Sequence, residues 1–363
     1  MRGVGKTTWA KTHFKDAYFI NLLREATFHS YLTDAKLFLR EIAKLSPKRW
    51  VVVDEVQRLP QLLNDVHFAI EEQKLRFALL GSSARKLRRT GVNLLGGRAL
   101  ERHLSPLLPV ELGEHFSLAD VLHFGSLPLI LDAPSKEEQL EAYVQVYLKE
   151  EIQAEALTRN LPGFARFLKI AALFHGQVLS VEGLARDSGV ARSTVQGYLD
   201  ILEDTLLSFR LPAFEGGLRV KEKKHPKLYW LDSGVMRAAK QELQVPSRED
   251  RGVLFEGLIA QILRAYGQLK LIPLDEMYYW AVSASERVEV DFLIKYKSTY
   301  FAIEAKAVER LRPEHFIGLK TISELKGVKR RILVYLGDHD FLHESGIEVW
   351  TFDKFLKELE HGF

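Results

Sequence analysis

The sequence predicts an α/β chain built from several modules: a parallel sheet flanked by helices, a helical stretch, a helix–turn–helix with short strands, and a second α/β lobe. Three observations carry this expectation. From residue 1 to about residue 110, short apolar runs alternate with helix-like stretches, the pattern of strands joined by crossover helices. One of those runs, Trp50–Val53, passes straight into Asp54 and Glu55, as a buried parallel strand does when acids stand at its carboxyl edge. The chain is also 363 residues long, more than a single core organises.

Composition narrows the class. The hydrophobic share of 47% and charged share of 27% are those of a soluble globular protein, which excludes disordered, collagen-like and membrane classes. No run approaches the roughly 18 uninterrupted apolar residues of a membrane span, and the N-terminus carries polar loop residues where a secretory signal needs an apolar core. A cytoplasmic location without a membrane partner is therefore expected. The chain has no cysteine, so disulfides, thiolate metal sites and cysteine nucleophiles are excluded, and any metal must be held by oxygen or histidine. A formal charge of +3 favours nucleic acid only weakly as a whole, which makes local clusters the relevant quantity.

In chain order, strands are predicted at 18–22, 50–53 and 77–80, with helices between them. From Pro109 to about Leu173 strand signals fade and helical patterns take over, as in the amphipathic run Glu137–Glu155. The segment Leu179–Leu231 reads as helix, tight turn, helix and two strand-like pieces, the order of a winged helix. Beyond a polar stretch at 246–251, a helix is predicted over 253–266 and strands over 276–282, 288–294 and 300–305. A helix over 314–326 and a strand over 331–336 follow. The expected modules are thus 1–109, 110–173, 174–232 and 250–363, and no internal repeat or low-complexity tract interrupts them.

Gly5-Lys6-Thr7-Thr8 follows the end of the phosphate-binding P-loop pattern, in which backbone N–H groups cradle phosphates. Gly3, Val4, Gly5, Lys6, Thr7 and Thr8 are the candidate ATP-binding residues. Lys6 would reach the terminal phosphates and the Thr7 hydroxyl would ligate Mg2+. The first glycine of the full pattern falls at position 0, so the loop is expected to be a stump and the parallel sheet to lack its first strand. A plain glycine turn before a helix is the alternative reading. Asp54 would support the magnesium and Glu55 would polarise the attacking water, about 50 residues beyond the lysine as P-loop enzymes space them; an ordinary strand-to-loop transition is the alternative. A third strand, Phe77–Leu80, ends in Gly81-Ser82-Ser83, where Ser83 would sense the terminal phosphate or simply sit in a solvated turn. Six basic residues, Arg85, Lys86, Arg88, Arg89, Arg98 and Arg102, stand against the single acid Glu101. Arg98, after Gly96-Gly97, is a candidate arginine finger on its own or a neighbouring nucleotide, and the same cluster also reads as a solvated or DNA-facing surface.

With these residues in hand, the chain resembles a prokaryotic family of AAA-type ATPases that pair such a core with a C-terminal domain of unknown function resembling restriction endonucleases. The resemblance lies in Gly-Val-Gly-Lys-Thr-Thr at 3–8, Phe-Ile-Asn-Leu-Leu at 19–23, Val-Val-Val-Asp-Glu-Val-Gln at 51–57, Leu-Leu-Gly-Ser-Ser at 79–83 and Gly-Gly-Arg at 96–98. It continues through Pro-Lys-Leu-Tyr-Trp-Leu-Asp-Ser-Gly at 226–234, Leu-Phe-Glu at 254–256, Glu-Val-Asp-Phe-Leu at 289–293 and Ile-Glu-Ala-Lys at 303–306. It implies Walker A and Walker B motifs, ATP with Mg2+, and a few tens of residues ahead of the loop.

In the helix–turn–helix, Leu184, Ala185, Val190, Val195 and Leu199 are the inward positions and Gly189 permits the turn. Arg192, Ser193, Thr194 and Gln196 open the second helix with side chains of the types that reach phosphates and base edges. Lys221, Lys223, Lys224 and Lys227 near the supposed wing add positive charge. The alternative is a winged helix that serves as an interdomain or protein-binding module.

In the last lobe, Glu304 and Lys306 stand two apart on a predicted strand and share a face, with about 6.6 Å of rise between them. With Asp291 on the preceding strand and Glu256 on the helix before, they make the Asp…Glu-x-Lys set of PD-(D/E)xK nucleases of the restriction-endonuclease type. Glu256, Asp291 and Glu304 would hold magnesium, and Lys306 would orient water and stabilise charge on phosphate. Acids and lysines alternating on a solvated strand face are the alternative. His103, His115 and His175 lack ligand-like spacing and read as surface or core histidines.

The functional expectation is an ATP-driven switch in which nucleotide governs how the winged helix and nuclease-like lobe engage DNA. The alternative is a non-enzymatic DNA- or protein-binding regulator with an impaired nucleotide site. A protein partner or a homo-oligomer is compatible with either.

Overall fold

The computed structural model describes residues 1–82, 99–147, 160–215, 223–282 and 288–362. The chain divides into two compact units, Met1–Leu104 with Asp204–Leu206, and Ser105–Glu203 with Leu207–Phe363.

The first unit is a three-stranded sheet of β1 (Tyr18–Asn21), β2 (Trp50–Asp54) and β3 (Arg76–Leu79) in the order β1-β2-β3. Both pairings are parallel, with Ile20 opposite Val53 and Val53 opposite Leu79. This is a mixed α/β arrangement consistent with a P-loop AAA-like domain. Because β2 is central, its side chains are buried on both faces. Val51 and Val53 pack with Phe38, Ile42, Leu62, Leu63 and Val66 from the helices Leu37–Ile42 and Leu62–Glu72. Val52 points the other way, against Ala10 of the first helix, Lys6–His13. That two-sided burial explains why the run is uniformly apolar rather than alternating. Burial of each valine side chain stabilises the unit by roughly 1.5–3 kcal/mol.

In the second unit, the helices Leu118–Phe124 and Leu161–Leu173 both pack on the helix Ser233–Lys240. The long amphipathic run expected over 137–155 begins as the helix Lys136–Ala142, continues as a π-turn at Tyr143–Tyr147, and then leaves the described residues. The helices Val181–Ser188 and Arg192–Asp204 meet at Gly189, whose φ of 63° is one that glycine adopts without strain. Beside them lies a small antiparallel sheet, β4 (Gln177–Val178), β6 (Lys227–Trp230) and β5 (Ser208–Leu211), with β6 in the middle.

A six-stranded sheet completes the unit. It comprises β7 (Glu276–Ala281), β8 (Glu289–Tyr296), β9 (Thr299–Lys306), β10 (Val328–Tyr335), β11 (Phe341–Leu342) and β12 (Glu348–Thr351), ordered β11-β12-β10-β9-β8-β7. β7, β8 and β9 form an antiparallel meander, and β9, β10 and β12 run parallel. The helix Arg248–Gln268 packs on β9 and also touches β6. It begins earlier than its hydrophobic period suggests because Ser247 and Asp250 form a reciprocal capping box. The helix expected over 314–326 is instead three short turns, Pro313–Phe316, Ile317–Thr321 and Ile322–Glu324. Gly318 lets the middle turn lie directly on β8, since a Cβ there would come within 1.6 Å of the Glu289 carbonyl oxygen. β11, β12 and the closing helix Phe352–Glu360 had no counterpart in the sequence reading. No helix among the described residues is long and apolar enough to cross a membrane.

Candidate functional site

The first constellation sits at the carboxyl ends of β2 and β3. Gly3 and Gly5 adopt φ values of 77° and 83°, and Gly5 is the N-cap of the first helix. Such left-handed positions turn successive backbone N–H groups toward a common side, as anion-binding loops require. Val4 is buried and anchors the loop, while Thr8 is exposed and contributes its carbonyl to the Thr12 hydroxyl. Lys6 Nζ donates back to the Met1 carbonyl at 2.6 Å, so the lysine is folded over the loop it would serve.

Thr7 and Asp54 meet across 47 residues of sequence: the Thr7 hydroxyl donates to Asp54 Oδ2 at 2.7 Å. The second oxygen, Asp54 Oδ1, is buried without a hydrogen-bond partner among the described residues. A buried carboxylate oxygen left unpaired is costly. Together with the threonine hydroxyl it supplies the hard oxygen donors that magnesium prefers. The residues present fit the ion.

Glu55 follows at φ 59° and is buried. A non-glycine residue in that region costs about 1–2 kcal/mol, and the turn aims the carboxylate at β3. There Gln57 Nε2 donates to Glu55 Oε2 and, at 3.1 Å, to the Ser82 hydroxyl. The backbone holds this geometry: Val56 N–H donates to the Leu80 carbonyl at 3.0 Å and Leu80 N–H to the Val53 carbonyl at 2.9 Å. Gln57 has no role in the sequence expectations, whereas Ser82 lies in the Gly81-Ser82-Ser83 turn where a phosphate-sensing side chain is expected. Ser83, Arg85, Lys86, Arg88, Arg89 and Arg98 lie outside the described residues. Arg102 is exposed beside Glu101.

In the helix–turn–helix, Arg192 pairs with Glu182 at 2.9 Å and Gln196 with Asp200 at 3.2 Å, both on the exposed side. Ser193 is exposed and Thr194 half-buried. Lys224 pairs with Glu215 at 3.0 Å, and Lys221 lies outside the described residues. Lys227 departs from expectation. Instead of adding charge to a wing surface, it is buried and turned into the carboxylates of the last lobe.

Those carboxylates form the second constellation. The β8–β9 pairing brings Asp291 beside Glu304 and Ala305: Ala305 N–H donates to Asp291 Oδ2 at 2.9 Å and Asp291 N–H to Glu304 Oε2 at 3.4 Å. Lys306, on the same face as Glu304, lies 2.5 Å from Glu304 Oε1 and 3.6 Å from Asp291 Oδ2. On the opposite side, Lys227 Nζ is 2.9 Å from Glu256 Oε1 and 3.9 Å from Asp291 Oδ1, and it also pairs with Glu289. The Tyr229 hydroxyl donates to the same Glu256 oxygen. The four residues named from sequence, Glu256, Asp291, Glu304 and Lys306, are therefore together, and Lys227, Tyr229 and Glu289 join them.

Electrostatics follows from burial. The Glu304 carboxyl is pushed up to about 8, first by burial and then by the neighbouring Asp291 charge, against the pull of Lys306. Burial likewise raises Glu256. For Lys227 burial acts to strip the proton, but the Glu256, Tyr229, Glu289 and Asp291 charges around it prevail and hold it protonated well above the ordinary lysine range.

Among the described residues, the three acids able to offer oxygens to one point are Glu256, Glu289 and Asp291, whose ligand atoms lie within 4.8 Å of one another. Glu304 is turned to Lys306 instead. By type the three suit a hard cation. As arranged, however, the Lys227 ammonium stands among them, and the set does not fit a metal ion as well.

Two other motifs have structural explanations. In Trp230-Leu231-Asp232-Ser233-Gly234, the Asp232 carboxylate caps a helix by accepting from Val235 N–H at 2.9 Å and also accepts from Ser126 N–H at 2.8 Å. His175 is a core histidine: its Nδ1 accepts from Trp230 N–H at 3.0 Å, and burial pushes its pKa down to about 4.

Residues 1–112 match the AAA domain family; residues 115–247 and 251–355 match two separate domains of unknown function, DUF8612 and DUF4143. Uncharacterized proteins of Mycobacterium tuberculosis and Mycobacterium bovis are each 26% identical over 356 residues, covering 94% of this chain and 76% of theirs. Among solved structures, a Vibrio cholerae protein aligns with 13% identity and a TM-score of 0.23, covering 86% of this chain and 89% of its own. Can2 from Sulfobacillus thermosulfidooxidans, in complex with cyclic tetra-adenylate, aligns with 11% identity and a TM-score of 0.21, covering 96% of each chain. Likeness at that level carries no argument about fold or function. The match to an AAA domain is confined to residues 1–112, the part of the chain that holds the Thr7–Asp54 contact.

Proposed function

We propose that the chain is an ATP-binding, Mg2+-dependent ATPase whose nucleotide state governs a DNA-directed winged helix over 174–232 and a nuclease-like lobe over 250–363, with 110–173 as a helical lid. The observation that carries the nucleotide site is the 2.7 Å hydrogen bond from Thr7 to Asp54, which unites the end of a phosphate loop with the acid at the end of a central strand.

In this reading the N–H groups from Gly3 to Thr8 cradle the phosphates, and Lys6 exchanges the Met1 carbonyl for phosphate oxygens. Thr7 and Asp54 hold the magnesium ion, which neutralises charge on the phosphates when bound. Glu55 releases Gln57 and orients the attacking water as general base. Ser82, hydrogen-bonded into that network, is as good a phosphate-sensing candidate as Ser83. Arg98 is the arginine-finger candidate. The test is titration of a fluorescent ATP analogue with Mg2+ into the chain and into Lys6→Ala and Asp54→Asn, followed by phosphate-release assays. Equal binding by all three proteins would sink the reading.

For the last lobe the nuclease reading assigns Asp291, Glu304 and Lys306 to chemistry and Glu256, Asp291 and Glu304 to a metal. The position of Lys227 among the acids favours the second reading, a DNA- or protein-binding regulator in which this lobe serves as scaffold. Incubation of circular DNA with the chain, Mg2+ and ATP distinguishes them by the presence or absence of nicks that Asp291→Asn abolishes.

A further inference from the structure

Lys227 belongs to one element and its partners to two others. It opens β6, the middle strand of the small sheet beside the helix–turn–helix, whereas Glu256 comes from the helix Arg248–Gln268 and Glu289 and Asp291 from β8. Its side chain is 4% exposed, and it is paired with all three acids. These are also the acids whose oxygens converge within 4.8 Å. Lys306, on β9, serves Glu304 and the other oxygen of Asp291, so the two ammonium groups flank Asp291 without duplicating one another.

We propose that the Lys227 ammonium is a built-in cation that takes the position a divalent metal ion would need, so that a metal ion among Glu256, Glu289 and Asp291 and the Lys227 contact from β6 exclude one another. A divalent cation draws its oxygen ligands to within about 2.6 Å, and an ammonium that already stands among those oxygens occupies the space the ion would need. Repulsion between the two positive charges acts in the same direction. Tyr229, two residues on and on the same face of β6, donates to Glu256 as well, so the strand seals the pocket with two side chains. The contact thereby ties the middle strand of the small sheet to the carboxylates of the lobe.

This inference rests on reading the lobe as a carboxylate site of the nuclease type. It is tested on the full chain by Mn2+ titration followed by electron paramagnetic resonance, with Asp54→Asn in every protein to silence the N-terminal site. Lys227→Ala is expected to bind Mn2+ at least about tenfold more tightly than its parent, with Mn2+ raising its melting temperature but not the parent's, and both effects vanishing when Asp291→Asn is added. Should Lys227→Ala fail to fold, Lys227→Gln keeps most of the side-chain length without the charge and must show the same gain in affinity. If the parent binds Mn2+ through Asp291 as tightly as the variant, the exclusion is overturned and the site reading survives. If neither protein binds Mn2+ through Asp291, both are overturned.

Discussion

At the scale of single residues, Glu55 illustrates how placement separates binding from chemistry. Its neighbour Asp54 is tied to Thr7, whereas Glu55 is turned by its left-handed backbone toward Gln57 and Ser82. Glu55→Gln should therefore leave the affinity for an ATP analogue within a few-fold of the parent and lower turnover by roughly a hundredfold or more, the contribution typical of a general base; equal loss of both would assign Glu55 to binding. His175 makes a prediction about pH. Burial lowers its pKa to about 4 from the ordinary histidine value of about 6.5, so the unfolded chain binds this proton more tightly than the folded one. The stability it contributes is present above the unfolded value and is lost as pH falls from about 6.5 toward 4. The loss amounts to about 2 kcal/mol between about pH 7.5 and about pH 5. Urea unfolding at the two pH values measures it, and His175→Gln should flatten that part of the dependence.

Elements decide which of these residues meet. The run Trp50–Val53 followed by two acids revealed β2 and the position of Asp54, because a strand buried on both faces leaves an unbroken apolar signature. Gly5-Lys6-Thr7 was likewise legible, since the loop is continuous in sequence. Gln57 and Ser82 were not, because their contact depends on the β2–β3 register, which joins residues 25 apart. Lys227 was misread for the same reason: a lysine near a supposed wing looks solvated until the helix Arg248–Gln268 and β8 are placed beside it. Glu289 left a signal that went unused, as it stands two residues before Asp291 and thus on the same face of its strand. Gly318 shows the constraint from the other direction. Any side chain there must push the turn off β8, so Gly318→Ala should destabilise the chain by about 1–3 kcal/mol, as overpacking does. Because β8 also carries Glu289 and Asp291, the same variant should broaden the NMR signals of both strands around the carboxylates; an unchanged unfolding midpoint would contradict the close approach.

For the whole molecule, the question is whether nucleotide and DNA speak to each other. A net charge of +3 provides little general attraction, so any DNA affinity must come from local groups such as Arg192. That side chain is 73% exposed, and its partner Glu182 is 64% exposed. A pair so solvated is worth little, about 0–1 kcal/mol, and exchanging it for a phosphate costs correspondingly little. If the helix Arg192–Asp204 contacts DNA, duplex affinity measured by fluorescence anisotropy should fall steeply with salt. Arg192→Ala should then lower the slope of log affinity against log salt by about one unit, since one phosphate contact is removed. If nucleotide governs that contact, a non-hydrolysable ATP analogue must shift the affinity, and by linkage DNA must shift the analogue's affinity by the same factor. Asp54→Asn should abolish both shifts while leaving the salt slope intact, because Asp54 belongs to the nucleotide site alone. A slope that drops with Arg192→Ala but ignores nucleotide would leave two independent binding activities on one chain, and the switch would have to be abandoned.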